Sequence, residues 1–409
     1  MITVAVIVAS DSGIAPLFQF GGLSLLKRAV LTAQKTGAVT CHILIPDTKF
    51  ALRQELEGDP RITSRIVWGL TAIPPDDSVE HASSWLVFSL DTLFRQPLVQ
   101  HLAEIVTPGQ SFVVADREST PLLLWVTETH ARRLYQALVQ EQSLGKAVVC
   151  VHRELIQLSL PPEHFLCRLQ TEAAVAALEY ALLRSLENSK DGIVDVYLNR
   201  KFSRPLTRGF LHTPITPNQI TILAGVMSVL GAACFLFGGY FGPLFGALLL
   251  QFSGVLDCCD GEVARIKFME SPLGDTLDIV CDTIGAITIF LGIGAAVWKN
   301  GGSEFALTLG GVLALGGALS FPLVTLAERT EEEGNRRGGW EDALIHTLVT
   351  GLTNRDYSIL ILASALVGQL SWFLWGAAFG SHVFWVCLAW LLFRAGRFAR
   401  LRSLWKREK

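Results

Sequence analysis

Four aspartates stand at set intervals in one short stretch of this chain. They are Asp257, Asp260, Asp278 and Asp282, within DCCDGEVARIKFMESPLGDTLDIVCD. The first pair is three residues apart and the second four, so each pair shares a face if the segments are helical. Apolar runs flank the stretch, GPLFGALLLQFSGVL before it and IGAITIFLGIGAAVW after it. A charged aspartate at a bilayer midplane costs roughly 2.5–3.5 kcal/mol on insertion scales. Crowded carboxylates also resist joint ionisation unless a cation shares them. A hard divalent cation such as Mg²⁺, Mn²⁺ or Ca²⁺ offsets both effects, because these ions take oxygen ligands. Gly261 and Gly274 have no side chain to keep a bulky ligand or a neighbouring helix away from the backbone. Arg265, little more than a turn past Asp260, is placed to neutralise a phosphate. A metal, a basic group and a spare carboxylate are the parts of phosphoryl transfer.

Such a site needs helices to hold it at membrane depth. Six apolar spans of bilayer length are expected, at about 219–238, 242–260, 276–298, 304–326, 356–375 and 379–396. Thr216-Pro217-Asn218 supplies the start of the first, a small polar cap followed by a proline that needs no backbone donor. Ahead of it, residues 191–217 mix Arg200, Lys201, Arg204 and Arg208 with Tyr197, Phe202, Leu206 and Phe210. That mixture fits an amphipathic segment lying in the lipid interface. Basic residues set the orientation. Arg265 and Lys267 follow span two, Arg329, Arg336, Arg337 and Arg355 follow span four, and Arg394, Arg397 and the tail 401–409 follow span six. The opposite loops offer little beyond Lys299. The basic ends, the N-terminal region and the aspartates are therefore expected on the cytosolic side, with both termini there.

The first 190 residues read differently. Short β-rich runs recur: ITVAVIVAS, CHILIPD, SRIVWGL, SWLVFSL, SFVVADR, LLLWVTE and KAVVCVH. Amphipathic stretches such as LSLLKRAVLTAQKTG separate several of them. The alternation predicts an α/β domain with a largely parallel sheet. A helical stretch at 170–188 leads out of it. The opening MITVAVIVAS lacks a basic leader and reads as a first strand rather than a signal peptide. At 409 residues, 50% hydrophobic, with mean hydropathy +0.41, the chain is too apolar for a purely soluble protein. A net charge of -3 leaves no global basic footprint for nucleic acid. The eight cysteines form no zinc-like C-x-x-C pair and read as reduced and mostly inert.

The pattern D-x2-D-G-x2-A-R-x8-G-x3-D-x3-D resembles the signature of the CDP-alcohol phosphotransferase family at every fixed position. The upstream DG…LNR…ITPNQIT segment resembles that family too. The resemblance covers about residues 190–400. It implies an integral membrane enzyme of phospholipid synthesis, in which an alcohol attacks a CDP-linked donor and CMP leaves. It implies that Asp257, Asp260, Asp278 and Asp282 hold one or two Mg²⁺ or Mn²⁺ ions. Gly261, Ala264, Arg265 and Gly274 would surround the CDP moiety, and Asp282 would be the general base. Membrane lipids and a second copy of the chain, as a homodimer, are the partners it implies. Glu262 and Asp275 are not signature positions and read as solvated.

The N-terminal region, from VAVIVASDSGIAPLF onward, resembles sugar-nucleotide and inositol-phosphate cytidylyltransferases. It lacks the arginine and lysine that such enzymes turn toward the triphosphate, and VFSLDTLF makes Asp91 a relic metal ligand. A degenerate, non-catalytic nucleotidyltransferase-like domain is expected. Two other readings stand beside this one. A bifunctional cytidylyltransferase–transferase would need a live N-terminal domain. A divalent-cation transporter would show polar interruptions in several spans, whereas here the acids cluster at one edge.

Overall fold

A computed structural model describes residues 2–45, 50–69, 84–105, 107, 109–116, 120–158, 164–187, 192, 194–332, 340–352 and 357–397. The chain forms two compact units, one built mainly from residues up to Leu186 and the other mainly from Glu187 onward.

The first unit is an α/β sheet. Its strands are β1 (Ile2–Val8), β2 (Thr40–Leu44), β3 (Arg65–Trp68), β4 (Ser84–Ser89), β5 (Phe112–Ala115), β6 (Pro121–Thr127) and β7 (Ile156–Leu158). They lie in the order β3-β2-β1-β4-β6-β5-β7. The pairings are parallel except those of β6, which runs antiparallel to β4 and β5. Near-continuous apolar runs suit strands buried on both faces. Helix α1 (Leu25–Lys35) starts where Ser24 Oγ accepts the Lys27 amide, and it buries Leu25, Leu26, Val30 and Leu31. Helix α2 (Glu128–Glu141) places Ala131, Leu134, Tyr135 and Leu138 in the core beside Val4, Val6, Trp85 and Val87.

One expected strand is not a strand. KAVVCVH folds as a short helix, Leu144–Ala147, and a 3-10 turn, Val148–Cys150. Ser143 caps it, and Ala147, Val148 and Val151 enter the core together. Periodicity alone does not separate a short apolar strand from a buried helical turn. The strand at Ile156–Leu158 takes the edge position instead.

The second unit is helical: α3 (Arg200–Leu211), α4 (Pro217–Phe235), α5 (Phe241–Lys267), α6 (Pro272–Lys299), α7 (Phe305–Glu332), α8 (Trp340–Leu352), α9 (Tyr357–Leu366) and α10 (Leu370–Arg394). Five of these, α4, α5, α6, α7 and α10, are long and apolar enough to cross a membrane. Thr216 and Gln219 form a reciprocal capping box at the start of α4, with Pro217 in its first turn. Helices α4 and α5 approach backbone to backbone at Gly231 and Gly246, where a Cβ on either would come within 3.0 Å of the other's carbonyl oxygen. Helix α6 packs on α4 and α7, and α7 packs on α10. Trp372, Phe379 and Phe393 of α10 stay at least 75% exposed, as side chains facing lipid would be.

The last two expected spans have different boundaries in the structure. The break expected near residue 377 lies at Gly368, which adopts φ +73°. A left-handed backbone is inexpensive for glycine and ends α9 there. Helix α9 has ten residues, about 15 Å of rise, too short to cross a core of about 30 Å. Helix α8 is an additional element in the stretch between spans four and five. Helix α8 packs on Leu388, Leu391 and Leu392 of α10, and α9 joins a cluster with Leu370, Leu374 and Ala378. The pair thus lines α10 in series. Arg397, one of the basic residues expected to set the orientation, is buried. It donates to Ala327 O, to Thr330 Oγ1 (2.9 Å) and to Asp342 (2.5 Å), tying the ends of α7, α8 and α10 together. The basic tail 401–409, together with Arg336, Arg337 and Arg355, lies outside the described residues.

Candidate functional site

The aspartates come together where α5 ends and α6 begins. Helix α5 stops as Phe268 turns left-handed, φ +55°, and the Met269 amide bonds back to Ala264 O at 2.8 Å. Ser271 then caps α6 by accepting the Gly274 amide at 3.1 Å, and Pro272 opens the helix. This tight reversal brings the acids of two helices to one place. Asp257, Asp278 and Asp282 each offer an oxygen within 4.8 Å of the others, and all three are partly exposed. Three convergent carboxylates are a suitable donor set for a hard divalent cation, with further oxygens left to substrate and water.

Asp260, the fourth expected ligand, lies one turn along α5 from Asp257. It is 7% exposed, and its Oδ2 accepts from Thr221 Oγ1 at 2.6 Å. Thr221, one turn into α4, also donates to Pro217 O. The helical offset of three residues keeps Asp260 near the face of Asp257, and burial against α4 gives it a hydroxyl partner. Thr221 was legible only as the last residue of TPNQIT.

The remaining signature residues surround this point. Gly261 lies under Arg265: a Cβ there would come within 3.1 Å of the guanidinium. Gly274 lies against Asn218 Oδ1 and Ser271 Oγ, each 3.2 Å from where a Cβ would stand. Ala264 and Arg265 are partly exposed, and Asp275 is exposed. Glu262, expected in solvent, is 1% exposed. It accepts from Ser203 Oγ (3.1 Å), Thr207 Oγ1 (2.5 Å) and Arg200 Nη1 (3.3 Å). Position outside the signature says nothing about burial, and the polar residues at 200, 203 and 207 were the signal that a partner existed.

The first unit has its own acidic site. Strands β2 and β3 follow β1 on one side while β4 lies on the other, so the loops leaving β1 and β4 flank the topological switch point, where open α/β sheets bind ligands. Ser10, Asp11 and Ser12 follow β1, and Asp91 follows β4. Asp91 is fully buried. Its Oδ2 accepts from Ser10 Oγ (2.8 Å), Ser12 Oγ (2.6 Å), the Ser12 amide (3.2 Å) and Arg168 Nε (3.2 Å), and Ser89 Oγ donates to its Oδ1. Arg168 also pairs with Asp11 at 3.0 Å. Burial opposes the charge on Asp91, but the Ser12 and Ser89 hydroxyls, the Arg168 charge and the Ser10 hydroxyl outweigh it and hold the carboxyl below its usual range. Two carboxylate oxygens offer about four lone-pair positions. Five donors occupy them here. Arg168 was not found from sequence because a ribbon pairing Leu166–Arg168 with Thr92–Phe94 delivers it from far along the chain.

The CDP-alcohol phosphatidyltransferase family model matches residues 214–379. A bifunctional IPC transferase and DIPP synthase of Aquifex aeolicus is 35% identical over 106 residues, which is 26% of this chain and 24% of the relative. The protein of that name from Rubrobacter xylanophilus is 32% identical over 179 residues, 43% of this chain and 36% of the relative. A phosphatidylinositol phosphate synthase of Mycobacterium tuberculosis is 36% identical over 94 residues, 23% of this chain and 42% of the relative. The aligned part spans less than half the length of each of these relatives. A solved structure of the Mycobacterium tuberculosis synthase with CDP-DAG bound aligns at 23% identity and TM-score 0.34, over 50% of this chain and 94% of that one. That structural likeness is distant, and the family match to the sequence carries the assignment. Residues 214–379, which contain all four aspartates, both glycines and Arg265, are a CDP-alcohol phosphatidyltransferase domain.

Proposed function

We propose that the helical unit transfers a substituted phosphate from a CDP-linked donor to an alcohol and releases CMP. The observation that carries this reading is the convergence of Asp257, Asp278 and Asp282 at the joint of α5 and α6, inside the family domain. A divalent ion, Mg²⁺ or Mn²⁺, held by these carboxylates would neutralise the diphosphate of the donor. Arg265 lies beside the same helix end and adds a fixed positive charge for the phosphate. Gly261 and Gly274 keep the backbone open to the CDP moiety, with Ala264 between them in sequence. Asp260, oriented by Thr221, is the fourth carboxylate of the proposed metal-binding set. Asp282, on the α6 face of Asp278 and one turn further on, takes the proton of the acceptor hydroxyl as that oxygen attacks phosphorus. The relatives include phosphatidylinositol phosphate synthases, so inositol phosphate is the first acceptor to test and CDP-diacylglycerol the first donor.

The unit is read as a six-span membrane domain. Helices α8 and α9 together make the fifth crossing: 23 helical residues give about 35 Å of rise, enough for the hydrocarbon core. The basic ends, and the aspartates with them, face the cytosol. Helix α3 fits the interfacial segment at 191–217, because Phe202 and Leu206 are exposed while Ser203 and Thr207 are buried. A homodimer is the assembly proposed.

Several relatives are named as bifunctional, which keeps a second activity in view for the N-terminal unit. The Asp91 geometry favours the degenerate reading instead. A nucleotidyltransferase of the expected kind needs that carboxylate for a metal, and here protein donors take up its lone pairs. The test of both readings is one assay. Purified full-length protein is incubated with Mg²⁺, CDP-diacylglycerol and inositol phosphate, and separately with CTP and inositol phosphate. CMP release in the first and no pyrophosphate in the second support the account; pyrophosphate in the second would promote the bifunctional reading.

A further inference from the structure

Helix α5 carries two polar faces about a quarter-turn apart. One holds Asp257, Asp260, Gly261 and Ala264. The other holds Gln251, Gly254, Cys258 and Glu262, spaced three and four residues apart so that they stack along one side. This second face meets α3 and the π-helical turn before it, Asp195–Asn199. Gln251 Nε2 donates to Asn199 Oδ1 at 2.6 Å, and Asn199 Nδ2 donates to Asp195 Oδ1 at 2.7 Å. Asn199 packs over Gly254, where a Cβ would come within 3.3 Å of its amide nitrogen. One turn on, Cys259 Sγ approaches Ser203 O at 3.6 Å. The row ends at Glu262 with Arg200, Ser203 and Thr207.

The burial along this row runs opposite to an ordinary amphipathic helix. Asn199, Arg200, Ser203 and Thr207 are all at most 5% exposed, whereas Tyr197 and Phe202 are more than half exposed. A buried carboxylate with a cation and two hydroxyls is stable only while every partner stays in place. Two carbonyl-free side-chain donors and a guanidinium meeting one carboxylate fix both the rotation and the axial register of α5 against α3. A sliding shift of one residue, about 1.5 Å, would lengthen or misalign all three contacts at once.

We propose that Glu262 is a positioning residue of the phosphotransfer site. It clamps α3 to α5 and so fixes the rotation of the helix that brings Asp257 to the acidic cluster. The inference rests on the proposed function only for its consequence in turnover; its consequence for ion binding stands apart. Outer-shell partners of metal sites typically change metal affinity or activity by about 10–100-fold when removed. Glu262 acts through helix register rather than by touching a ligand, so the expected effect is at the lower end, about tenfold.

The test uses the full-length protein in detergent. Mn²⁺ affinity is read by electron paramagnetic resonance, CMP release by mass spectrometry, and folding by thermal unfolding. Glu262→Ala should weaken Mn²⁺ binding about tenfold and lower CMP release in parallel, in protein that still unfolds cooperatively. Glu262→Gln, which keeps the acceptor oxygen but removes the negative charge facing Arg200, should fall between wild type and Glu262→Ala. Adding Arg200→Gln to Glu262→Gln should recover part of that loss, because the charge pair leaves together. Should Glu262→Ala not fold, Thr207→Val removes one hydroxyl and should cost two- to threefold in Mn²⁺ affinity. Wild-type Mn²⁺ affinity in folded Glu262→Ala, or in Thr207→Val if that is the variant available, overturns the clamp. Weakened Mn²⁺ binding in a protein that releases no CMP leaves the clamp standing and removes the phosphotransfer reading. A wild-type protein that binds no Mn²⁺ overturns both.

Discussion

The two acidic centres of this molecule are built on opposite principles. At Asp91 one buried carboxylate meets five protein donors, Arg168 among them. At the joint of α5 and α6 three carboxylates meet one another within 4.8 Å. The first arrangement is complete as protein and favours the folded state. The second concentrates negative charge in a unit of membrane helices, where it is costly without a cation. A carboxylate enclosed by five protein donors suits a structural role, whereas three convergent carboxylates are a suitable donor set for a hard cation. The contrast underlies the proposal that the helical unit is the place of reaction and the α/β sheet a support.

The largest effect that would sharpen this contrast is on the ligands themselves. Asp257→Asn and Asp278→Asn should each abolish detectable CMP release and weaken Mn²⁺ binding, while Asp91→Asn should leave Mn²⁺ binding unchanged. A fall in Mn²⁺ affinity in Asp91→Asn would mean that the first unit holds an ion and that the comparison is wrong.

Next in size is Asp282→Asn. Loss of a general base typically costs about 10²–10⁴ in rate. Turnover should fall by that factor while calorimetric binding of the CDP donor survives at least in part. Donor binding that falls as far as in Asp257→Asn would make Asp282 chiefly a ligand and move the base elsewhere.

A smaller effect, on stability, belongs to the first unit. Asp91→Ala leaves Arg168, only 12% exposed, still paired with Asp11, and strips the Ser10, Ser12 and Ser89 hydroxyls of this acceptor. Removing the acceptor of buried donors costs about 1–3 kcal/mol. Denaturant unfolding of the first unit, followed by tryptophan fluorescence with Trp85 as a buried reporter, should shift to lower denaturant. CMP release per folded molecule should not change.

The smallest effect is on acid stability. The folded-state pKa of Asp91 is lowered, so its contribution is present above the unfolded value, about 3.9, and is lost as pH falls through the folded value. The first unit of Asp91→Asn should therefore lose less stability than wild type between about pH 4 and more acidic conditions. Parallel acid-unfolding curves for the two would show that Asp91 does not carry this term.

Much of the helical site was legible because its information is local. Eight fixed positions lie within twenty-six residues, and helical spacing alone puts Asp278 and Asp282 on one face. The start of α4 was legible for the same reason, since Thr216, Pro217 and Gln219 cap a helix by contacts three residues apart. What was missed depends on distance or on tertiary packing. Arg168 reaches Asp91 through a pairing 77 residues away. Glu262 looked solvated because its partners lie on another helix. The turn at KAVVCVH had the composition of a strand, and its helical state is set by the core it enters. Gly368 was one glycine among many in an apolar stretch, and only its φ marks it as the break. In the first unit, an alternating pattern implied the sheet, but not that β6 would run antiparallel between β4 and β5.

The central claim is that the acids at the α5–α6 joint support transfer from a CDP-linked donor. The measurement closest to it is CMP release by purified full-length protein supplied with CDP-diacylglycerol and a panel of alcohols headed by inositol phosphate. The account predicts CMP and a matching phosphodiester in Mg²⁺ or Mn²⁺, none in EDTA, and recovery when the ion is returned. Full turnover in EDTA, or no CMP with any donor and acceptor in protein that binds Mn²⁺, would contradict it.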